Sequence, residues 1–122
     1  MRTYDDRRKH KRYGIIGHSA FVVNHNWPEK GELVDISKGG FSFQYVSDTP
    51  WPDSSGGGFM VFGNHDSIIA NVSAEVVADH IIPCGHGNAM IVRRCSLKFG
   101  NLTEHQRFML ECFIWVNAEA QC

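Results

Sequence analysis

Two arginines stand four residues apart near the start of the chain, within the segment Arg8–Lys9–His10–Lys11–Arg12. A guanidinium group presents a planar fork of N–H donors, which suits phosphate oxygens and the O6/N7 edge of guanine. Two such groups on a flexible segment can converge on a single ligand. Because Arg-x-x-x-Arg arises often by chance in basic segments, the pattern alone is weak evidence for an anion site.

A second polar segment, Asp35–Ile36–Ser37–Lys38–Gly39–Gly40, lies between two β-rich runs. Asp35 and Ser37 are two residues apart and therefore share one face of an extended chain. A carboxylate there can accept hydrogen bonds from guanine N1–H and N2–H₂, and a hydroxyl can donate or accept. Gly39 and Gly40 allow the backbone to turn and a ligand to approach closely. Taken alone, the segment is more typical of an ordinary hairpin turn.

The charge of the chain is distributed unevenly. Residues 1–12 carry a net charge of +4, the remaining residues carry −5, and the whole chain carries −1. A basic segment of this kind usually meets an anion, such as nucleic acid, a nucleotide or an acidic surface. A solvated tail is the alternative.

The elements that must position these residues are predicted to be short strands followed by one helix. The β-rich runs follow one another closely, which indicates an antiparallel barrel or sandwich with the helix packed on it. The longest run is predicted to be bent or interrupted. The six runs cover 20–23, 31–36, 41–45, 59–62, 68–82 and 90–99.

The last part of the chain changes to helical periodicity. Thr103 and Gln106 form a capping box, which predicts the start of a helix that runs to about Ala118. One apolar stripe at i, i+3, i+4 and i+7 is predicted to face the barrel. Its members are Met109, Cys112, Phe113 and Val116.

Together, the two polar segments resemble the motifs of the PilZ domain family. Arg8-x-x-x-Arg12 matches the first motif, and Asp35-x-Ser37-x-x-Gly40 matches the second. The flanking residues, the strand order and the closing helix are also similar, so the resemblance extends from about residue 6 to residue 114. One stretch departs from the family pattern, because 75–78 lacks the aromatic residue that many members carry there.

PilZ domains are bacterial receptors for cyclic di-GMP. The resemblance implies an all-β fold, a six-stranded antiparallel PilZ-type β-barrel with a C-terminal α-helix. It implies a flexible basic N-terminal arm over residues 1–13 and the barrel with its helix over residues 14–118. Binding is expected to wrap the arm over the barrel face, as an order-on-binding switch.

The resemblance also implies a role for each motif residue. Arg8 and Arg12 are expected to bind the phosphates and guanine edges of cyclic di-GMP. Asp35 and Ser37 are expected to hydrogen-bond a guanine, to which Gly40 gives clearance. Four weaker candidates for ligand contacts are Arg7, Lys11, Lys38 and Gly39.

The implied function is signal transduction by a second messenger, without catalysis. The expected ligand is cyclic di-GMP, with no further cofactor and no metal. The signal would pass to an unidentified downstream effector protein that controls motility, exopolysaccharide and biofilm formation or virulence. No apolar run approaches ~20 residues, so no membrane span is expected. The lack of an export signal favours a cytoplasmic location by default.

Two other functions fit parts of the sequence. A nucleic-acid-binding barrel could use the basic arm as an electrostatic anchor, but it needs aromatic side chains exposed on a sheet face. Phe41, Phe43 and Tyr45 are expected to face the core instead, so no DNA or RNA partner is expected. A PilZ-like scaffold that binds only protein partners is the other alternative.

A metal site is the least supported interpretation. The four residues that could form one have a spacing that fits no established zinc pattern. They are His80, Cys84, His86 and Cys95. The four cysteines of the chain contain no Cys-x-x-Cys pair and are expected to be reduced thiols.

Overall fold

A computed structural model of the chain describes residues 11–15, 20–24, 27–50, 56–83 and 90–121. Eight strands and one α-helix are formed. In chain order they are β1 (Tyr13–Ile15), β2 (Phe21–Asn24), β3 (Trp27–Ile36), β4 (Gly40–Val46), β5 (Gly56–Phe62), β6 (Ile68–Ile82), β7 (Val92–Phe99), α1 (Glu104–Asn117) and β8 (Ala118–Gln121).

Six of the strands close into an antiparallel barrel. The ring runs β2–β5–β6–β7–β4–β3 and is closed by the pairing of β2 with β3. Each of the six β-rich runs of the sequence forms one strand of this ring. The structure therefore confirms the predicted six-stranded antiparallel barrel with a C-terminal helix.

Two strands outside the ring were not predicted. β1 pairs with the last residues of β3, and β8 pairs with β1. With only three and four residues, these strands are too short to show a clear period of two. Strand β1 begins at Tyr13, inside the predicted arm, and β8 continues past residue 118, where the predicted domain ends.

The predicted irregularity in the longest run takes the form of register shifts within one strand. Strand β6 shifts against β7 between Val76 and Ala78, and it also shifts against β5. Asn71 has a positive φ of 58°, a conformation that asparagine tolerates better than most residues. Such irregularities bend a strand and increase its twist, which helps it follow the wall of a small barrel.

Alternate residues of the ring strands fill the barrel interior. Phe41, Phe43 and Tyr45 are buried, as predicted. The ring of Phe41 lies 5.4 Å from that of Phe99, measured between centroids. Cys95 is also buried, and its burial raises the pKa of the thiol to about 12. This thiol therefore stays neutral and packs as a small apolar side chain.

A charged pair is also enclosed by the barrel. The Nε–H of Arg93 donates to Asp79 Oδ1 over 2.9 Å, and the hydroxyl of Tyr45 donates to Asp79 Oδ2. The side chains of Arg93 and Asp79 are 10% and 9% exposed. A buried carboxylate requires partners of this kind, because an unpaired charge is costly in a medium of low polarity.

Helix α1 starts at the predicted capping box. Thr103 Oγ1 accepts from the amide of Gln106, and the Gln106 side chain accepts from the amide of Thr103. Gln106 also donates to the carbonyl groups of Ala70 and Asn71 in β6. No helix in the described part of the chain is long and apolar enough to cross a membrane.

The buried face of α1 lies one residue away from the predicted stripe. Leu110, Phe113 and Asn117 are buried, whereas Cys112 and Val116 are only half-buried. Two members of the predicted stripe do contact the core, because Phe113 is fully buried and Met109 packs against it. The stripe missed Asn117, which is fully buried although it is polar.

Asn117 joins the end of α1 to the loop between β5 and β6. Its Oδ1 accepts from the amide of Asn64 over 2.8 Å. Its Nδ2 donates to Ser67 Oγ over 2.8 Å and to the Phe113 carbonyl over 2.9 Å. The side chain is fully buried, so these bonds satisfy groups that water does not reach.

Replacement of this side chain tests its role in fixing the helix. We expect Asn117→Ala to lower the free energy of unfolding by about 1–3 kcal/mol, because it removes buried hydrogen bonds and leaves a cavity. Trp115→Ala is the control on the same helix, since this side chain is 88% exposed, and it should stay within about 0.5 kcal/mol of wild type. Urea unfolding measures both, and an equally small effect of Asn117→Ala would contradict the proposed role.

Gly40 is required where β4 packs beside β7. A Cβ at this position would collide with the carbonyl oxygen of Leu97. The clash is with backbone, which cannot rotate away. At Gly100, by contrast, a Cβ would lie 2.8 Å from the hydroxyl of Ser73, a side chain that can move.

Gly40→Ala should therefore destabilise the barrel in the absence of any ligand. We expect a loss of about 1–3 kcal/mol in the free energy of unfolding, as for other overpacked sites. Gly100→Ala is the matched control and should cost less. Thermal unfolding of the two variants without ligand measures the difference, and equal stability of Gly40→Ala and wild type would exclude the clash.

Candidate functional site

The pairing of β1 with β3 brings Arg12, the second arginine of the first motif, close to the second motif. Tyr13 is opposite Ile36, and Gly14 is opposite Asp35. Paired residues of neighbouring strands lie about 4.5–5.5 Å apart. Arg12, which directly precedes β1, therefore stands beside the start of the β3–β4 turn, and it lines the same cleft as Asp35 and Ser37.

The β3–β4 turn uses the motif serine for its own hydrogen bonds. Ser37 Oγ accepts from the amides of Gly39 and Gly40 over 3.1 and 3.2 Å. The Ser37 amide donates to the Gly40 carbonyl, and the Gly39 carbonyl accepts from the amide of Phe99. The local geometry is thus that of a hairpin turn anchored to β7, which is the alternative interpretation of this segment.

Asp35 is held from two directions on the outer face of the barrel. Its Oδ1 accepts from Ser42 Oγ over 2.8 Å, and its Oδ2 accepts from Arg94 Nη2 over 3.2 Å. Arg94 Nη2 also lies 3.4 Å from Ser42 Oγ. The strand register explains the contact between Asp35 and Arg94. Asp35 on β3 is opposite Ser42 on β4. Arg94 on β7 is opposite Gln44, which is two residues after Ser42 on β4.

These residues line a cleft of about 1120 Å³. Its walls are the β3–β4 turn, the outer faces of β6 and β7 and the inward side of α1. Arg12, Asp35, Ser37, Lys38, Gly39 and Gly40 all line it. Five lysine and arginine residues face the cleft against two carboxylates, those of Asp35 and Glu111; the five cations are Arg12, Lys38, Arg94, Lys98 and Arg107.

The weaker candidates for ligand contacts do not all lie in the cleft. Lys38 Nζ forms an ion pair with Glu111 Oε1 at 3.5 Å, and both side chains are about 60% exposed. Such an exposed pair contributes little to stability. Lys11 is exposed and is not among the residues that line the cleft. Arg7 lies outside the described residues, as does Arg8 of the first motif.

Four basic side chains line the cleft that were not among the sequence candidates: His80, Arg94, Lys98 and Arg107. The alternation of β7 could have indicated two of them. Cys95, Leu97 and Phe99 share the inner face, so Arg94 and Lys98, which alternate with them, face outward. Arg107 gave no such signal, because its contribution depends on how α1 docks.

Strand β6 supplies two side chains to the cleft near the position where many PilZ domains carry an aromatic residue. Val77 and His80 both line it. His80 is opposite Arg94 in the β6–β7 pairing. The wall therefore combines an aliphatic side chain with an imidazole ring.

The structure bears on two of the alternative interpretations. Phe41, Phe43 and Tyr45 are buried in the core, so they do not form the exposed stacking surface that a nucleic-acid-binding barrel needs. Cys84 and His86 of the metal alternative lie outside the described residues. Among the residues that are described, no three His, Cys, Asp or Glu side chains are grouped to hold a metal ion.

Solved structures with a similar fold include proteins from two bacteria. The complex of K. pneumonia MrkH with c-di-GMP has a TM-score of 0.70, with 15% sequence identity over 91% of this chain and 52% of that one. The PilZ domain of YcgR from Escherichia coli with c-di-GMP has a TM-score of 0.64, with 19% identity over 91% of both chains. This chain thus spans about half the length of MrkH.

No family model and no curated protein matches the sequence of the chain. The structural likeness covers 91% of the chain in both cases. The chain therefore has the fold of PilZ domains.

Proposed function

We propose that this chain is a receptor for cyclic di-GMP and that the cleft between the β3–β4 turn, β7 and α1 is the binding site. The observation that carries the proposal is the placement of Arg12 in one cleft with Asp35 and Ser37, although more than 20 residues separate the two motifs. The structural neighbours that were solved with c-di-GMP support it.

The charge of the cleft suits this ligand. Cyclic di-GMP carries two phosphates, and the cleft presents an excess of three positive charges among its lysine, arginine and carboxylate side chains. A concave site with one sign of charge raises the local concentration of an oppositely charged ligand. The volume of about 1120 Å³ is at or above the upper end for small-molecule pockets, about 300–1,000 Å³, which leaves room for a cyclic dinucleotide.

Each motif residue keeps the role that the family resemblance implies. Arg12 and Arg8 would bind phosphates and guanine edges, with Arg7 and Lys11 as further cations. Asp35 and Ser37 would hydrogen-bond a guanine. Gly40 would give the base clearance in addition to its place beside β7.

The output would be a binding event without catalysis. A cyclic dinucleotide in this cleft would contact the turn, the sheet and the helix together, so it could change the surface that α1 and β3 present. A downstream effector protein would recognise that change and control motility, exopolysaccharide and biofilm formation or virulence.

Isothermal titration with cyclic di-GMP tests the site, with separate titrations of GTP and cyclic di-AMP as controls for selectivity. Arg8→Ala and Arg12→Ala should each weaken binding by about 1.5–3 kcal/mol, as expected for the loss of a charge-assisted hydrogen bond. Lys30→Ala is the control, because Lys30 stacks on Phe21 and does not line the cleft, and it should bind like wild type.

The possible results distinguish a wrong function from a wrong binding site. A folded wild-type protein that does not bind cyclic di-GMP would contradict the receptor function. Wild-type affinity in both arginine variants would contradict the site but not the function. Titration of a labelled single-stranded oligonucleotide at low and moderate salt tests the nucleic-acid alternative.

A further inference from the structure

Arg94 occupies a position in the cleft that no sequence motif marks. It lies on β7, on the outer face of the barrel, and its side chain is 32% exposed. Its guanidinium group contacts Asp35 Oδ2 and Ser42 Oγ. Within the described part of the chain, each of these contacts is made by a single nitrogen, Nη2.

A guanidinium group has five N–H donors, so the use of one nitrogen leaves Nε and Nη1 able to donate. The carboxylate of Asp35 is in a similar condition. Each of its oxygens accepts one hydrogen bond in the structure, and a carboxylate can accept about four. The pair therefore presents acceptors and donors side by side at the wall of the cleft.

This order of groups is the complement of guanine. The pairing edge of guanine presents N2–H₂ and N1–H as donors and O6 as an acceptor. A carboxylate beside a guanidinium presents acceptors followed by donors. Adenine has the opposite order, because N1 accepts and N6–H₂ donates, so an adenine in the same place would set acceptor against acceptor and donor against donor.

We propose that Arg94 is a specificity-determining residue, which fixes the Asp35 carboxylate and donates to guanine O6, so that Asp35 and Arg94 read the base as a pair. The inference rests on the proposed function and adds to it the means by which guanine is selected. Ser42 has a supporting part, because it anchors the other carboxylate oxygen and so sets the plane of the group.

Direct base contacts of this kind distinguish the right base from the wrong one by about 1–3 kcal/mol, or about 5- to 150-fold in affinity. The experiment is to measure Kd values for cyclic di-GMP and cyclic di-AMP with wild type, Arg94→Ala, Arg94→Lys and Lys98→Ala. For each protein, we compare the Kd for cyclic di-AMP divided by the Kd for cyclic di-GMP, which is the selectivity ratio. Thermal unfolding without ligand confirms that each variant is folded.

We expect the wild type to prefer cyclic di-GMP. In Arg94→Ala the selectivity ratio should fall by about 10-fold or more. Arg94→Lys keeps the charge but lacks the planar fork of donors, so it should also lower the selectivity ratio. If Arg94→Ala does not fold, the Lys variant still tests the inference. Lys98→Ala removes a cleft cation that has no contact with Asp35 among the described residues. It should weaken both ligands by a similar factor and leave the ratio unchanged.

Other results would overturn the inference in distinguishable ways. If both Arg94 variants weaken the two ligands equally, or leave both affinities unchanged, Arg94 does not read the base, while the receptor function stands. If the wild type binds the two ligands equally well, the Asp35–Arg94 pair does not select guanine. If the wild type binds neither ligand, the proposed function is wrong and this inference fails with it.

Discussion

The antiparallel pairing of β1 with β3 is the contact on which the candidate site depends. It sets Tyr13 opposite Ile36 and so places Arg12 next to the β3–β4 turn. Without this pairing Arg12 would have no fixed position relative to Asp35. The pairing is short, but β8 extends the sheet on the other side of β1, so the residues after the helix help to hold the residues that precede the barrel.

Strand β7 connects the barrel interior with the site. Arg93 and Arg94 are neighbours in sequence, and successive side chains of a strand point to opposite faces. Arg93 pairs with Asp79 inside the wall, whereas Arg94 pairs with Asp35 on the outside. The hydrogen bond to Asp79 raises the pKa of Arg93. Two acid–arginine pairs thus lie back to back, and a shift of β7 would disturb both.

Helix α1 forms one wall of the cleft, so its attachment affects the shape of the site. Gln106 fixes its first turn to β6, and Asn117 fixes its last turn to the loop before β6. Neither contact is apolar. Hydrophobic packing places the helix on the barrel, and these directed bonds set its position along and around its axis, which brings Arg107 and Glu111 to the cleft.

Much of the fold could be predicted from the sequence, because period-two alternation and the capping box are local signals. The six ring strands and the start of α1 are of this kind. Strands β1 and β8 gave no local signal, since they are too short and depend on each other for pairing. For the site, the motif spacing indicated Arg12, Asp35 and Ser37. The partnership of Arg94 with Asp35 could not be predicted, because it depends on the register of β3, β4 and β7 across about 60 residues of chain.

The most direct measurement of the central claim is a titration of the ¹⁵N-labelled chain with cyclic di-GMP, followed by amide chemical shifts. The account predicts that the largest changes cluster at Arg12, Asp35–Gly40 and the outer positions of β7, on the residues that line the cleft. The amides of β2 and β5, which lie across the barrel from β7 and do not line the cleft, should change little. Shifts that cluster on β2 and β5, or no shifts at saturating ligand, would contradict it.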